Sequence, residues 1–143
     1  MQKSLFFLSF FLLSFFSMQA QLTQHQWKNR ILLLFAEHPD DSLLIQQIAH
    51  FEEDTAGLED RDLIIYKICK EEGVAPNGKE LDARAIKRLR DKYKVSNNSF
   101  TVILIGKDGG EKLRRKGKLL TRKALYRTID AMPMRRAEMR RKN

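Results

Sequence analysis

Cysteine is almost absent: Cys69 is the only one in 143 residues. An internal disulfide is therefore excluded, and so is dithiol chemistry, which needs one thiolate to attack and a second thiol to resolve the mixed disulfide. Stability has to come from a packed core. The most apolar stretch, Leu5–Phe16, is twelve residues long, short of the roughly 20 that cross a membrane as a helix. There is no Gly-rich phosphate loop, no Ser-His-Asp order, no internal repeat and no low-complexity segment. Aromatic residues make up 9% of the chain and are not interleaved with its basic residues, which sets aside stacking on single-stranded nucleic acid.

What is present begins with an export pattern. Lys3 supplies a positive start, Leu5–Phe16 an apolar centre and Ser17-Met18-Gln19-Ala20 a stretch that can be cut after Ala20. Gln21 follows the cut, so no lipoprotein anchor is implied. The remaining 123 residues suit one domain, expected over 21–134, with a basic tail over 135–143 that frays. The expected location is periplasmic or extracellular, which also makes nucleic acid an improbable partner.

Charge is divided along the chain. Residues 21–78 carry 5 basic and 11 acidic side chains, net −6, and residues 79–143 carry 21 and 7, net +14. Such asymmetry speaks about polyanionic partners rather than about fold.

Taken in order, Gln21–Gln26 is polar and loose. Trp27–Ala36 predicts a strand buried on both faces, because Ile31–Phe35 is continuously apolar. Asp40–Ala56 predicts an amphipathic helix ended by Gly57, with Leu44, Ile48 and Phe51 inward. Leu63–Cys69 is a second buried strand, parallel to the first through a right-handed crossover. Lys70–Lys79 is a loop. In Glu80–Tyr93 a helical stripe runs through Leu81, Ala85, Leu89 and Tyr93, with Ile86 alongside, and Arg84, Lys87, Arg88 and Arg90 fall on the opposite faces. Phe100–Ile105 is a third strand, Lys107–Gly110 a hairpin turn and Glu111–Arg115 a basic edge strand. Thr121 caps a last helix over Arg122–Met132. The class is α/β, β-α-β-α-β-β-α, with a mixed four-stranded sheet and helices on both faces.

That order, together with Phe35–Ser42 after the first strand, resembles a thioredoxin-like fold. Its F-x-A-x-W-C-x-x-C run would lay two cysteines on Pro39 and Ser42, and neither is a thiol. The cis-proline that faces those thiols has no counterpart at Ser99, Phe100 or Thr101. More closely, QHQWKNRILLLFA, LEDRDLIIYKI, SFTVILIGKDGGEKLR and IDAMPMRRAEMR are similar to an uncharacterised family of exported thioredoxin-like domains. These occur alone in bacteria and as modules in animal extracellular proteins, sushi-repeat proteins and a coiled-coil-containing matrix protein among them. The similarity spans nearly all of 22–141, with GKDGG and IDAMPMR its most specific pieces. It implies the fold, an extracytoplasmic setting and a shape shared with peroxiredoxins, and no settled activity.

Three sets of residues carry chemistry. Glu37, His38, Asp40, Asp41 and Ser42 occupy the position of the usual site. They read first as helix capping, with His38 or Asp40 as cap and Pro39 in the first turn. Neighbours around a proline cannot converge on one ion, so no metal or other cofactor is implied. Cys69 ends the second strand with only Lys67 and Lys70 as nearby cations in sequence. It reads as a small buried hydrophobe, against a one-cysteine peroxidase or reductase role that would need a depressed pKa. Arg114, Arg115, Lys116, Lys118, Arg122 and Lys123 form the candidate binding surface. The partners open to it are an anionic polymer, an anionic membrane surface, a protein or a second copy of the chain. About five phosphate or sulfate contacts would give a slope near −4 in log K against log salt. Asn97-Asn98-Ser99 fits a glycosylation acceptor in a host that modifies secreted chains.

Overall fold

The computed structural model describes residues 20–142, so all of the expected export segment except its last residue, Ala20, lies outside the described residues. At the centre is β1 (Arg30–Phe35), buried at every residue. It runs parallel to β2 (Leu63–Ile68) and antiparallel to β4 (Thr101–Ile105), which is why its sequence is unbroken apolar from Ile31: a strand covered on both faces has no wet side. Alternation sorts its side chains into two cores. Leu32 and Leu34 pack with α2 (Ser42–Glu52), α3 (Thr55–Asp60) and α5 (Arg122–Asp130) through Leu44, Phe51, Leu58, Leu125 and Ile129. Ile31, Leu33 and Phe35 pack on the other face against Ile86, Leu89 and Tyr93 of α4 (Ala83–Tyr93).

The sheet has five strands, in the order β3-β2-β1-β4-β5, not four. The additional one, β3 (Gly73–Val74), is two residues inside the expected loop and pairs antiparallel with Lys67 and Ile68; two residues leave no periodicity to read. β5 (Glu111–Lys116) forms the opposite edge, after a turn in which Gly109 has φ +83° and Asp108 Oδ1 accepts from Gly110 N at 3.1 Å.

Several boundaries differ from expectation for local reasons. β1 starts at Arg30, because Trp27 sits at φ 67°, and a short helix, α1 (Ala20–Thr23), stands in the segment expected to be loose. The single helix expected over 40–56 is two, broken where Asp54 caps α3 by accepting from Gly57 N at 2.9 Å. Gly57 does not end a helix. It is needed for close approach, since a Cβ there would lie 2.6 Å from the Tyr126 hydroxyl. The fully buried Gln47 clasps the backbone of Leu120, donating at 2.9 Å and accepting at 2.7 Å, and so ties the start of α5 to α2.

The tail expected to fray is a helix, α6 (Pro133–Lys142), whose only buried residue is Arg135. It is held by charge. Glu138 receives both terminal nitrogens of the fully buried Arg30, each at 3.2 Å, and Lys107 Nζ at 2.7 Å. Lys107 also reaches Asp62 at 2.7 Å. Arg135 bridges Asp60 and Asp130, and Lys142 reaches Asp60 at 2.6 Å. Hydrogen bonds from Lys142 and Arg135 lower the Asp60 pKa to about 2. For Glu138 burial pushes upward, and the bonds from Lys107 and Arg30 outweigh it, so its carboxyl titrates below the usual range.

Breaking a buried pair leaves a charge without compensation. Glu138→Gln is expected to lower the unfolding free energy by about 3 kcal/mol in chemical denaturation, towards the low end for buried pairs. Both carboxylates have folded pKa values depressed below their unfolded ones. Their stabilisation is therefore present above about pH 4.5 and is lost as pH falls below it, for Asp60 as pH passes down through about 2. Denaturant midpoints measured over that window should fall in the native protein and fall less steeply in Glu138→Gln.

Candidate functional site at the carboxyl edge of the sheet

The ends of β1 and β2 lie side by side. Ala36 N donates to Ile68 O at 3.1 Å, Lys70 N to Glu37 O at 3.0 Å and Cys69 N to Glu72 O at 2.8 Å, so the turn after β1 and the turn after β2 form one hydrogen-bonded unit. Two of the sequence candidates, the loop from Glu37 to Ser42 and Cys69, thereby meet at one edge.

The capping role falls to Asp41, not to His38 or Asp40, and Pro39 precedes the helix instead of entering its first turn. Asp41 Oδ1 accepts from Leu43 N at 2.9 Å and Leu44 N at 3.2 Å, after a turn closed by Asp41 N to His38 O at 3.2 Å. A carboxylate at that point satisfies the first free amides of α2 and its positive dipole end. Glu37 and His38 lie 3.6 Å apart in solvent, where a pair contributes little. Ser42 is exposed, and its hydroxyl is hydrogen-bonded to no histidine or carboxylate among the described residues. Among those residues, no three His, Cys, Asp or Glu side chains are grouped to hold a metal ion.

Cys69 is 4% exposed. Burial raises its pKa, Glu72, Asp41 and Asp40 add to the rise, and Arg90 opposes it. The same loop that stands where the usual thiols would be thus disfavours a thiolate at Cys69.

Sequence reasoning missed Arg90. It is not on an outward face of α4 but 5% exposed beneath this edge. Its Nη2 donates to Ala36 O at 2.5 Å and to Ile68 O at 3.3 Å, and its Nη1 to Ser96 O at 2.9 Å, so one guanidinium ties the ends of β1 and β2 to the loop after α4. Burial lowers its pKa. The signal was available: Ile86, Leu89, Arg90 and Tyr93 have the i, i+3, i+4, i+7 spacing of an inward face.

The candidate basic residues are distributed differently. Arg114 is committed internally, to Glu111 at 2.7 and 2.8 Å and to Tyr93 O at 2.9 Å. Arg115 is half-buried, and Arg122 pairs with Glu53 at 3.0 Å. Lys116, Lys118 and Lys123 are exposed, as is Arg127 one turn beyond Lys123, and none forms an ion pair with a described residue. Lys116 ends β5, Lys118 follows it, and Lys123 and Arg127 lie on α5.

The model of the domain of unknown function DUF4174 matches residues 21–138. The chain belongs to this family. As a DUF4174 domain it is similar to the coiled-coil domain-containing protein 80 of Danio rerio, at 22% identity over 138 residues. That similarity takes in 86% of this chain and only 16% of the relative. In shape it is similar to the reduced 2-Cys peroxiredoxin of Plasmodium vivax, with a TM-score of 0.64 at 15% identity, covering 81% of this chain and 72% of the other. The mitochondrial 2-Cys peroxiredoxin of Plasmodium falciparum gives a TM-score of 0.57 at 19% identity, covering 77% and 79%. These similarities establish a thioredoxin-like fold for the DUF4174 domain.

With a buried thiol of raised pKa, the folded domain should react with a thiol reagent more slowly than free cysteine at neutral pH, the rate rising at higher pH than for free cysteine. Stopped-flow labelling across pH, with Cys69→Ser as control, measures this; fast labelling with a midpoint below about 8 would contradict the geometry.

Proposed function

We propose that this DUF4174 domain is an exported, non-catalytic binding module that contacts an anionic surface, polymer or protein through its basic C-terminal half. The observation that carries the reading is the set of exposed cations Lys116, Lys118, Lys123 and Arg127, which form no ion pair with a described residue although their neighbours Lys112, Arg114 and Arg122 do. Long side chains left solvated are free to neutralise a polyanion and displace its condensed counter-ions. The non-catalytic part is supported by the absence of a thiol at Pro39 and Ser42 and by the burial of Cys69. Export is supported by the Lys3 to Ala20 pattern, and among the described residues no helix is long and apolar enough to cross a membrane.

Binding to a sulfated polysaccharide, followed by calorimetry between about 50 and 200 mM salt, is expected to weaken with a slope of about −3 to −4. The triple variant Lys116→Gln, Lys118→Gln, Lys123→Gln should lose most of that slope while keeping the native melting temperature. Affinity insensitive to salt, or unchanged in the variant, would sink the electrostatic contact.

A further inference from the structure

Four cations are buried among the described residues, and three of them, Arg30, Lys107 and Arg135, meet a carboxylate. Arg90 meets none. Its partners are the three carbonyls of Ala36, Ile68 and Ser96 and the face of the Phe35 ring at 5.5 Å, and its Nε, like those of Arg30 and Arg115, is buried without a hydrogen-bond partner. A guanidinium has five N–H donors, so three carbonyl bonds leave two unused. A buried positive charge compensated only by carbonyl dipoles and a ring face is costly, and a carboxylate is the group whose paired oxygens match it.

Arg90 also lines a cavity of about 460 Å³ at the carboxyl edge of the sheet, within the roughly 300–1,000 Å³ of small-ligand pockets. Lys70, Glu71, Ser96 and Asn97 line it with polar groups, and Ala83, Ile86 and Val95 supply apolar wall. Lys87 and Asp91 also border it and neutralise each other at 2.6 Å. That leaves Lys70 and Arg90 against Glu71, a surplus of one positive charge.

We propose that this cavity binds an organic carboxylate with a small apolar body, whose carboxylate becomes the counter-ion Arg90 lacks. The single surplus charge favours a monoanion over a phosphate dianion, and the apolar wall favours an organic acid over an inorganic one. The same chemistry is offered by a free small acid and by the C-terminal carboxylate of a peptide ending in an apolar residue. The site is separate from the β5 and α5 cations, so loss of salt-dependent polyanion binding would leave it untouched.

The test is a nitrogen-15 NMR titration of the protein at fixed ionic strength with sodium benzoate, with benzamide, and with a tetrapeptide ending in valine as free acid and as amide. The expected result is a saturable shift of the Arg90 Nε–H signal and of the Lys70 and Ser96 amides with an acid. The matching amide should bind at least tenfold more weakly. Tighter binding of the peptide acid than of benzoate would make a peptide terminus the source, and the reverse a free acid. Ala83→Trp, which fills the exposed rim, and Lys70→Glu should each weaken binding at least fivefold with the spectrum otherwise native. Arg90→Met should abolish it; if that variant does not fold, the two rim variants decide. No saturable shift with either acid, equal binding of acid and amide, or unchanged affinity in both rim variants would overturn the proposal.

Discussion

A fully buried guanidinium at the first position of the central strand is the constraint on which much of this structure depends. Arg30 is placed there by the register of β1 with β2, opposite Leu63. In a dry site it needs an anion and acceptors on both terminal nitrogens. Glu138 and the carbonyl of Arg61 provide them. A helix of ten residues with one buried side chain has little to hold it in water by itself. It is docked because Arg30 and Lys107 require Glu138, and because Asp60 and Asp130 require Arg135.

This changes how the charge asymmetry of the sequence is understood. The acidic first half and the basic second half are in part each other's partners: Asp60 and Asp62 belong to the first, Arg135, Lys107 and Lys142 to the second, and they meet within one molecule. Arg61 does the same in the other direction, pairing with Asp130 at 2.8 Å while its guanidinium lies 3.8 Å over the Tyr126 ring. Four cations of the basic half, Lys107, Arg122, Arg135 and Lys142, are thereby used to close the fold against carboxylates of the acidic half. The exposed cations at β5 and on α5 stay outside these pairs.

The parts legible in the sequence were those whose cause is local. β1, β2 and β4 follow from apolar runs, α5 from Thr121, whose hydroxyl accepts from Ala124 N, and the hairpin from its glycines. Features that depend on distant residues were not legible. β3 exists only because Gly73 and Val74 find β2. Gly57 reads as a helix stop until Tyr126, far along the chain, is seen to occupy the space a side chain would need. α6 has no apolar stripe because its partners are charges. At the candidate site the sequence placed the loop and Cys69 correctly at the carboxyl edge but treated them as separate, and it put Arg90 outside. A charged residue at an inward position contradicts the usual pattern, and such contradictions concentrate at places with a function or a specific partner.

The hairpin turn at Gly106–Gly110 gathers both ends of the described chain. Trp27 N donates to Lys107 O at 2.7 Å and Gln26 to Asp108 O at 3.1 Å, while Glu138 of the last helix grips Lys107. The two ends therefore leave from one pole of the sheet, and the edge that carries Cys69, Arg90 and the Glu37–Ser42 loop is the other pole. A domain built this way can be threaded into a longer polypeptide like a bead on a doubled string, with its tethers together behind it and its open edge facing outward. Flanking sequence could be added or exchanged at that pole without crossing the open edge, which suits a stretch that makes up 16% of the length of the Danio rerio relative.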